Sequence, residues 1–102
     1  MTPDVFQDLD RTIHEKGRMG IMAMLAASPE ISFTDLRTAL AMTDGNLTTH
    51  LRTLQEAGYV TLEKSVRNRR SLTSCQLTPV GRNAFREYVA ALERFVASNR
   101  NI

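Results

Sequence analysis

The sequence predicts an α+β domain, mainly helical, in which a polar-faced helix leads straight into a β-hairpin. Three observations carry that expectation. Leu47, Leu51 and Leu54 recur at i, i+4 and i+7, the narrow stripe of a core-facing helix, with Gly45, Thr48, Thr49 and Arg52 on the opposite side. Directly after it, VTLEKSV, the basic loop RNRRS and LTSCQL read as two strands about a cationic turn. Near the end, Phe85, Tyr88, Val89, Leu92, Phe95 and Val96 repeat at i, i+3, i+4, i+7, i+10 and i+11 along a final amphipathic helix. Together these give the layout of a winged helix-turn-helix, a three-helix core plus a β-hairpin wing, with a helix added at each terminus.

The elements follow in order within one domain spanning residues 1–102. Residues 4–13, DVFQDLDRTI, place Phe6, Leu9 and Ile13 on one side of a helix too short to persist without a partner surface. The next segment, HEKGRMGIMAMLAAS, is apolar most of the way round, as a helix buried at the centre of a domain would be. Gly17 and Gly20 each weaken it by up to ~1 kcal/mol relative to alanine. Either they permit close helix packing or the helix begins later than the pattern suggests. Ser28-Pro29 ends it, and Ile31-Ser32-Phe33 is a short extended piece, a candidate third strand beside the hairpin. Ser32 or Thr34 can cap the following helix, whose Leu36, Ala39 and Leu40 are expected to face inward.

Met42-Thr43 makes the turn into the leucine-striped helix. Thr43 is its N-cap, Asp44 suits the positive end of the dipole, and Gly58 stops it with φ > 0. Residues 34–58 thus form the helix-turn-helix. Within the hairpin, residues 60–77, Val60 and Leu62 alternate with Thr61 and Glu63, and Thr73, Cys75 and Leu77 share a face of the return strand. Thr78 followed by Pro79 starts the last helix, residues 79–98.

Charge is informative through its placement rather than its sum. The net formal charge is only +2, yet Lys64, Arg67, Arg69 and Arg70 fall within seven positions that hold no acid. The single cysteine excludes an internal disulfide, and Cys75 reads as a small buried hydrophobe. His50, at the edge of the leucine stripe, reads as a packing or hydrogen-bonding residue, and His14 as surface. There is no signal pattern and no apolar run near the roughly 20 residues of a membrane span, so the expectation is a cytoplasmic protein without membrane contact. No grouping of Ser, His, Asp, Cys or paired carboxylates suggests an enzyme, and no cofactor or metal is expected.

The run ISFTDLRTALAMTDGNLTTHLRTLQEAGYVTLEKSVRNRRSLTSCQLTPVGRNAF resembles the winged-helix transcriptional regulators of the MarR and ArsR type, above all their short stand-alone members. The likeness spans roughly residues 9–96. Its most specific pieces are L-x(3)-L-x(2)-L-x(3)-G-[YL]-[VI] at Leu47 to Val60 and L-T-x-x-G-R at Leu77 to Arg82. The resemblance implies a DNA-binding homodimer that represses or activates promoters. It brings no small-molecule effector, which stays unknown. Metal sensing is not carried over, because the paired cysteines of ArsR-type sensors are missing from Thr43 to Arg52.

The residues themselves fit double-stranded DNA. The major groove admits an α-helix and displays a distinguishable pattern of donors and acceptors. Gly45, Thr48 and Thr49 are small enough for close approach, and Arg52 has the reach for a guanine edge or a phosphate. Asp44 and Asn46 start the helix where bases and phosphates would meet it, with Thr34 nearby. Glu56 would be repelled by phosphates, so only the first half of the helix is expected in the groove. Lys64, Arg67, Asn68, Arg69 and Arg70 would place cations in the adjacent minor groove. Phe6, Leu9, Ile13, Phe85, Tyr88, Val89, Leu92, Phe95 and Val96 exceed what so small a domain covers, and are expected to form a two-fold interface. The alternative is a winged helix that binds another protein, against which the basic tip argues.

Overall fold

The computed structural model describes residues 6–100, which hold four helices and one three-stranded antiparallel sheet beyond a helical pair at Phe6 and Gln7. In chain order these are α1 (Lys16–Ala27), β1 (Ile31–Ser32), α2 (Phe33–Ala39), α3 (Asp44–Glu56), β2 (Val60–Arg67), β3 (Arg70–Leu77) and α4 (Pro79–Ser98). Strand order is β1-β3-β2, with Ile31 opposite Cys75 and Val60 opposite Leu77. The short extended piece after α1 is therefore a third strand.

Each helix begins where a side chain satisfies its free amides. Glu15 accepts from the Arg18 amide at 2.8 Å, and Ser32, rather than Thr34, accepts from the Asp35 amide at 3.1 Å. Thr43 caps α3 and Thr78 caps α4, with Pro79 in the first turn where its missing N–H costs nothing. Two helices end in the same motif. After α2 the amides of Ala41 and Met42 donate to the carbonyls of Thr38 and Arg37; after α3 those of Gly58 and Tyr59 donate to Gln55 and Leu54. The residue at the bend is Gly58 in the second case, with φ +81°, but in the first it is Ala41, with φ +53°. Alanine in that left-handed conformation crowds its Cβ against the following carbonyl.

The core is one cluster. Ile21, Met22 and Leu25 of α1 meet Leu36, Leu47, Leu51 and Leu54 of the helix-turn-helix, Val60 and Cys75 of the sheet, and Tyr88 and Ala91 of α4. Gly17 and Gly20 let α1 approach: a Cβ at Gly17 would lie 2.8 Å from the His50 ring on α3, and one at Gly20 3.1 Å from Leu40. Close packing, not a late helix start, accounts for them. Ala39 is exposed rather than inward, because α2 has only seven residues and turns just Leu36 fully into the core.

The N-terminal segment departs from expectation. The proposed helix over 4–13 does not extend past Gln7; its first two residues lie outside the described region, and 8–13 form turns. The cause is Asp10, whose Oδ1 accepts from the amides of Thr12 and Ile13 at 2.8 and 3.1 Å, an alternative to the helical ladder that short polar side chains readily offer. Its other oxygen, Oδ2, accepts from the Tyr59 hydroxyl at 2.6 Å and ties this segment to the root of the wing. Consequently Leu9 and Ile13 are buried in the chain's own core, as is Tyr88, and none of the three is available to a two-fold interface.

Tyr59 also meets α4. The Thr78 amide donates to the Tyr59 carbonyl at 3.0 Å, and the Thr78 hydroxyl donates to the Gly58 carbonyl at 2.6 Å. Gly81 packs so closely here that any Cβ would overlap the Tyr59 carbonyl. Two substitutions should move stability in opposite directions in chemical denaturation. Ala41→Gly relieves the left-handed strain and should add about 0.5–1 kcal/mol, less than the full strain because glycine is freer when unfolded. Gly81→Ala must push α4 off the backbone it rests on and should remove more than ~2 kcal/mol.

Candidate nucleic-acid interface

With Leu47, Leu51 and Leu54 buried, α3 turns Asp44, Gly45, Asn46, Thr48, Thr49 and Arg52 to solvent. The burial of those leucines, worth about 2 kcal/mol each, is what sets the rotation of the helix about its axis. The Thr43 hydroxyl accepts from the Asn46 amide at 3.1 Å. The Thr49 hydroxyl donates to the Gly45 carbonyl at 3.0 Å, so its methyl group and oxygen lone pairs are what it offers outward. Thr53 bonds back to Thr49 in the same way, at 3.2 Å. At Gly45 a Cβ would meet nothing within 4 Å, so no internal contact of the fold requires glycine there.

Asp44, expected to meet DNA directly, is engaged. Its Oδ1 accepts from Arg37 Nη1 at 2.6 Å while the carboxylate stays 70% exposed. Arg37, near the end of α2, was not among the candidates from sequence. Its relation to Asp44 depends on the left-handed bend at Ala41, which carries no glycine to signal it. Thr34 is exposed in the first turn of α2.

The wing extends well past the core. From Glu63 to Arg70 every residue is exposed, since the outer strand halves have nothing to pack on. Lys64 pairs in register with Thr73, and Arg67 directly faces Arg70. The turn has two residues, Asn68 at φ +52° and Arg69 at φ +65°, the paired left-handed geometry of a type I′ hairpin. Asparagine tolerates that conformation; arginine pays about 1–2 kcal/mol where glycine would pay nothing. Like charges facing each other across the ladder add to the cost. Among the described residues no carboxylate pairs with these arginines.

His50 Nδ1 lies 3.3 Å from Arg18 Nη1 and 3.6 Å from Glu15, between α1 and α3, which makes it a packing and hydrogen-bonding residue. His14, although exposed, lies with its Nδ1 2.8 Å from the Tyr88 hydroxyl. Cys75 is fully buried, and burial pushes its thiol up to about 11, far from the thiolate that redox chemistry needs. Burial, and then the bond to Asp10, push Tyr59 up to about 12. Among the described residues no group of His, Cys, Asp or Glu could hold a metal ion, and no helix is long and apolar enough to cross a membrane.

A buried-leucine helix with an open polar face, joined to a cationic hairpin, defines a winged helix-turn-helix of the DNA-binding kind. The chain belongs to the winged helix DNA-binding domain family, whose sequence profile matches residues 18–96. It is 40% identical over 72 residues to the uncharacterized protein MJ0432 of Methanocaldococcus jannaschii, spanning 71% of this chain and 78% of that one. In three dimensions it resembles the transcriptional regulator homologue of Pyrococcus horikoshii OT3, with a TM-score of 0.84 at 23% identity over 93% of this chain and 92% of that one. It also resembles S. aureus MepR, solved as a complex with DNA, with a TM-score of 0.74 at 15% identity over 93% and 77% of the two chains. The fold is that of the MarR-like transcription regulators.

Gly45→Ala separates the needs of the fold from those of a ligand. The new methyl group enters open space, so helix stability should rise by up to ~1 kcal/mol. Duplex binding, measured by fluorescence anisotropy, should weaken if the open space over Gly45 is where a ligand makes its close approach.

Proposed function

We propose that this protein is a sequence-specific regulator that binds double-stranded DNA as a homodimer, with α3 in the major groove and the wing in the adjacent minor groove. The observation that carries this reading is the open face of Thr48, Thr49 and Arg52 opposite three fully engaged leucines. Thr48 and Thr49 present methyl groups and hydroxyl oxygens, which suit thymine methyls and base-edge donors, while Arg52 reaches a guanine edge or a phosphate. Asn46 sits at the helix start, where base edges and phosphates are both near. Arg67, Asn68, Arg69, Arg70 and Lys64 then hold the flanking backbone and minor groove. A polyanion offsets both the like-charge contact and the strained turn at the tip. Binding, rather than catalysis, is the activity, and a cytoplasmic location suits it.

Dimerisation is supported by what α4 leaves uncovered. Phe85, Val89, Leu92 and Phe95 are only partly buried, and Val96 and Phe6 remain 50% and 56% exposed. These six, without Leu9, Ile13 and Tyr88, form the proposed two-fold surface. Two copies joined there would present their α3 helices about one DNA turn, ~34 Å, apart.

Sequences selected from a random duplex pool should contain two related half-sites at that spacing. Affinity should fall about 10³-fold or more between 50 and 200 mM salt if six or more phosphates are contacted. Replacing Arg69 and Arg70 together with alanine should weaken binding to all sequences alike, whereas Arg52→Ala should also relax base preference. Affinity indifferent to salt and to these arginines would instead favour a protein-binding winged helix. Sedimentation at micromolar concentration should give the mass of two chains, and Val96→Glu should shift it to one.

A further inference from the structure

The pairing of Arg37 with Asp44 poses an electrostatic question that the proposed function leaves open. Asp44 opens the helix that would enter the groove, and its carboxylate is 70% exposed, so a nearby phosphate would be repelled. Arg37 Nη1 sits 2.6 Å from that carboxylate and belongs to α2, the helix that precedes α3 across the turn at residues 40–43. Its side chain is 35% exposed, and the hydrogen bond to Asp44 uses one of its five N–H donors. Among the described residues its Nε and Nη2 have no protein partner.

An exposed pair of this kind contributes little to stability, about 0–1 kcal/mol. It does fix direction. A guanidinium held by a carboxylate on one edge keeps the other edge available in a defined orientation, and planar two-point recognition of phosphate is what arginine does better than lysine. Asp44 is thereby neutralised where it would otherwise oppose binding.

We infer that Arg37 is a DNA-contacting residue: its free edge binds a backbone phosphate beside the start of α3, and Asp44 is the positioning residue that aims it. This rests on the DNA-binding reading above. Arg37 adds a cation to the α2 side of the recognition helix, where the sequence offered only Thr34. The contact is to phosphate and is blind to sequence, so it sets how deeply and at what register α3 sits, while Thr48, Thr49 and Arg52 read.

The test is the salt dependence of duplex binding by the full chain, with wild type, Arg37→Ala and Asp44→Asn side by side on a selected site and on an unrelated duplex. For Arg37→Ala the expected result is roughly tenfold weaker binding on both duplexes and a slope of log affinity against log salt reduced by about 0.9, the loss of one phosphate contact. Asp44→Asn keeps the cation but loosens its aim, so binding should weaken severalfold while the slope stays near its wild-type value. Undiminished affinity would remove Asp44 from the positioning role. A structural clamp at the turn would lower affinity without changing the slope, so an unchanged slope in Arg37→Ala, with wild-type binding intact and salt-dependent, overturns this inference alone. If wild type shows no salt-dependent binding, the DNA-binding reading falls and this one with it.

Discussion

The end of α3, the start of the wing and the start of α4 meet at one point of close backbone contact, where α4 rests on the strand that leaves α3. Thr78 ties its amide to the Tyr59 carbonyl and its hydroxyl to the Gly58 carbonyl, and Gly81 lets the two backbones meet. Gly58 and Tyr59 end α3, Val60 begins the wing, and Thr78 begins the helix proposed to join two copies. The three parts to which function is proposed therefore share one joint that has no room for a methyl group. The Tyr59 hydroxyl extends it to Asp10, so the N-terminal segment is held by the same residue.

Against that joint, the surface is built at a cost to the isolated chain. Arg69 occupies a left-handed turn position, Arg67 faces Arg70, and Gly45 weakens a helix without serving any internal contact. Each choice runs against the stability of the folded monomer, and all of them lie on the surface proposed to face DNA. Such local departures, absorbed by a well-packed remainder, are where function is expected to reside. The left-handed Ala41 is of another kind. It lies in the bend that brings Arg37 to Asp44, where glycine would do the same with less strain.

Much of the helix-turn-helix and wing was legible because their signals are local. Leucine spacing sets the buried face of α3, Thr43 and Thr78 are hydroxyl caps, Gly58 is a stop, and alternation marks the start of β2. The terminal segments were less so. Phe6, Leu9 and Ile13 have helical spacing, yet the side chain of Asp10 captures the amides that a helix would need. Tyr88 shares the stripe of α4 with Val96, but one lies in the core and the other near the far end of the helix. Periodicity shows that a face is apolar; it does not tell which part of it the domain itself covers.

The sequence by itself determined the order of elements, their caps and stops, the polar face of α3 and the basic tip of the wing. Those follow from interactions a few residues apart, which spacing encodes directly. Only the tertiary structure decided that Leu9, Ile13 and Tyr88 belong to the core, that Gly81 must accept the Tyr59 carbonyl, and that Arg37 stands beside Asp44. These depend on where separate segments meet in space, and a pattern read along one strand or helix contains no record of that.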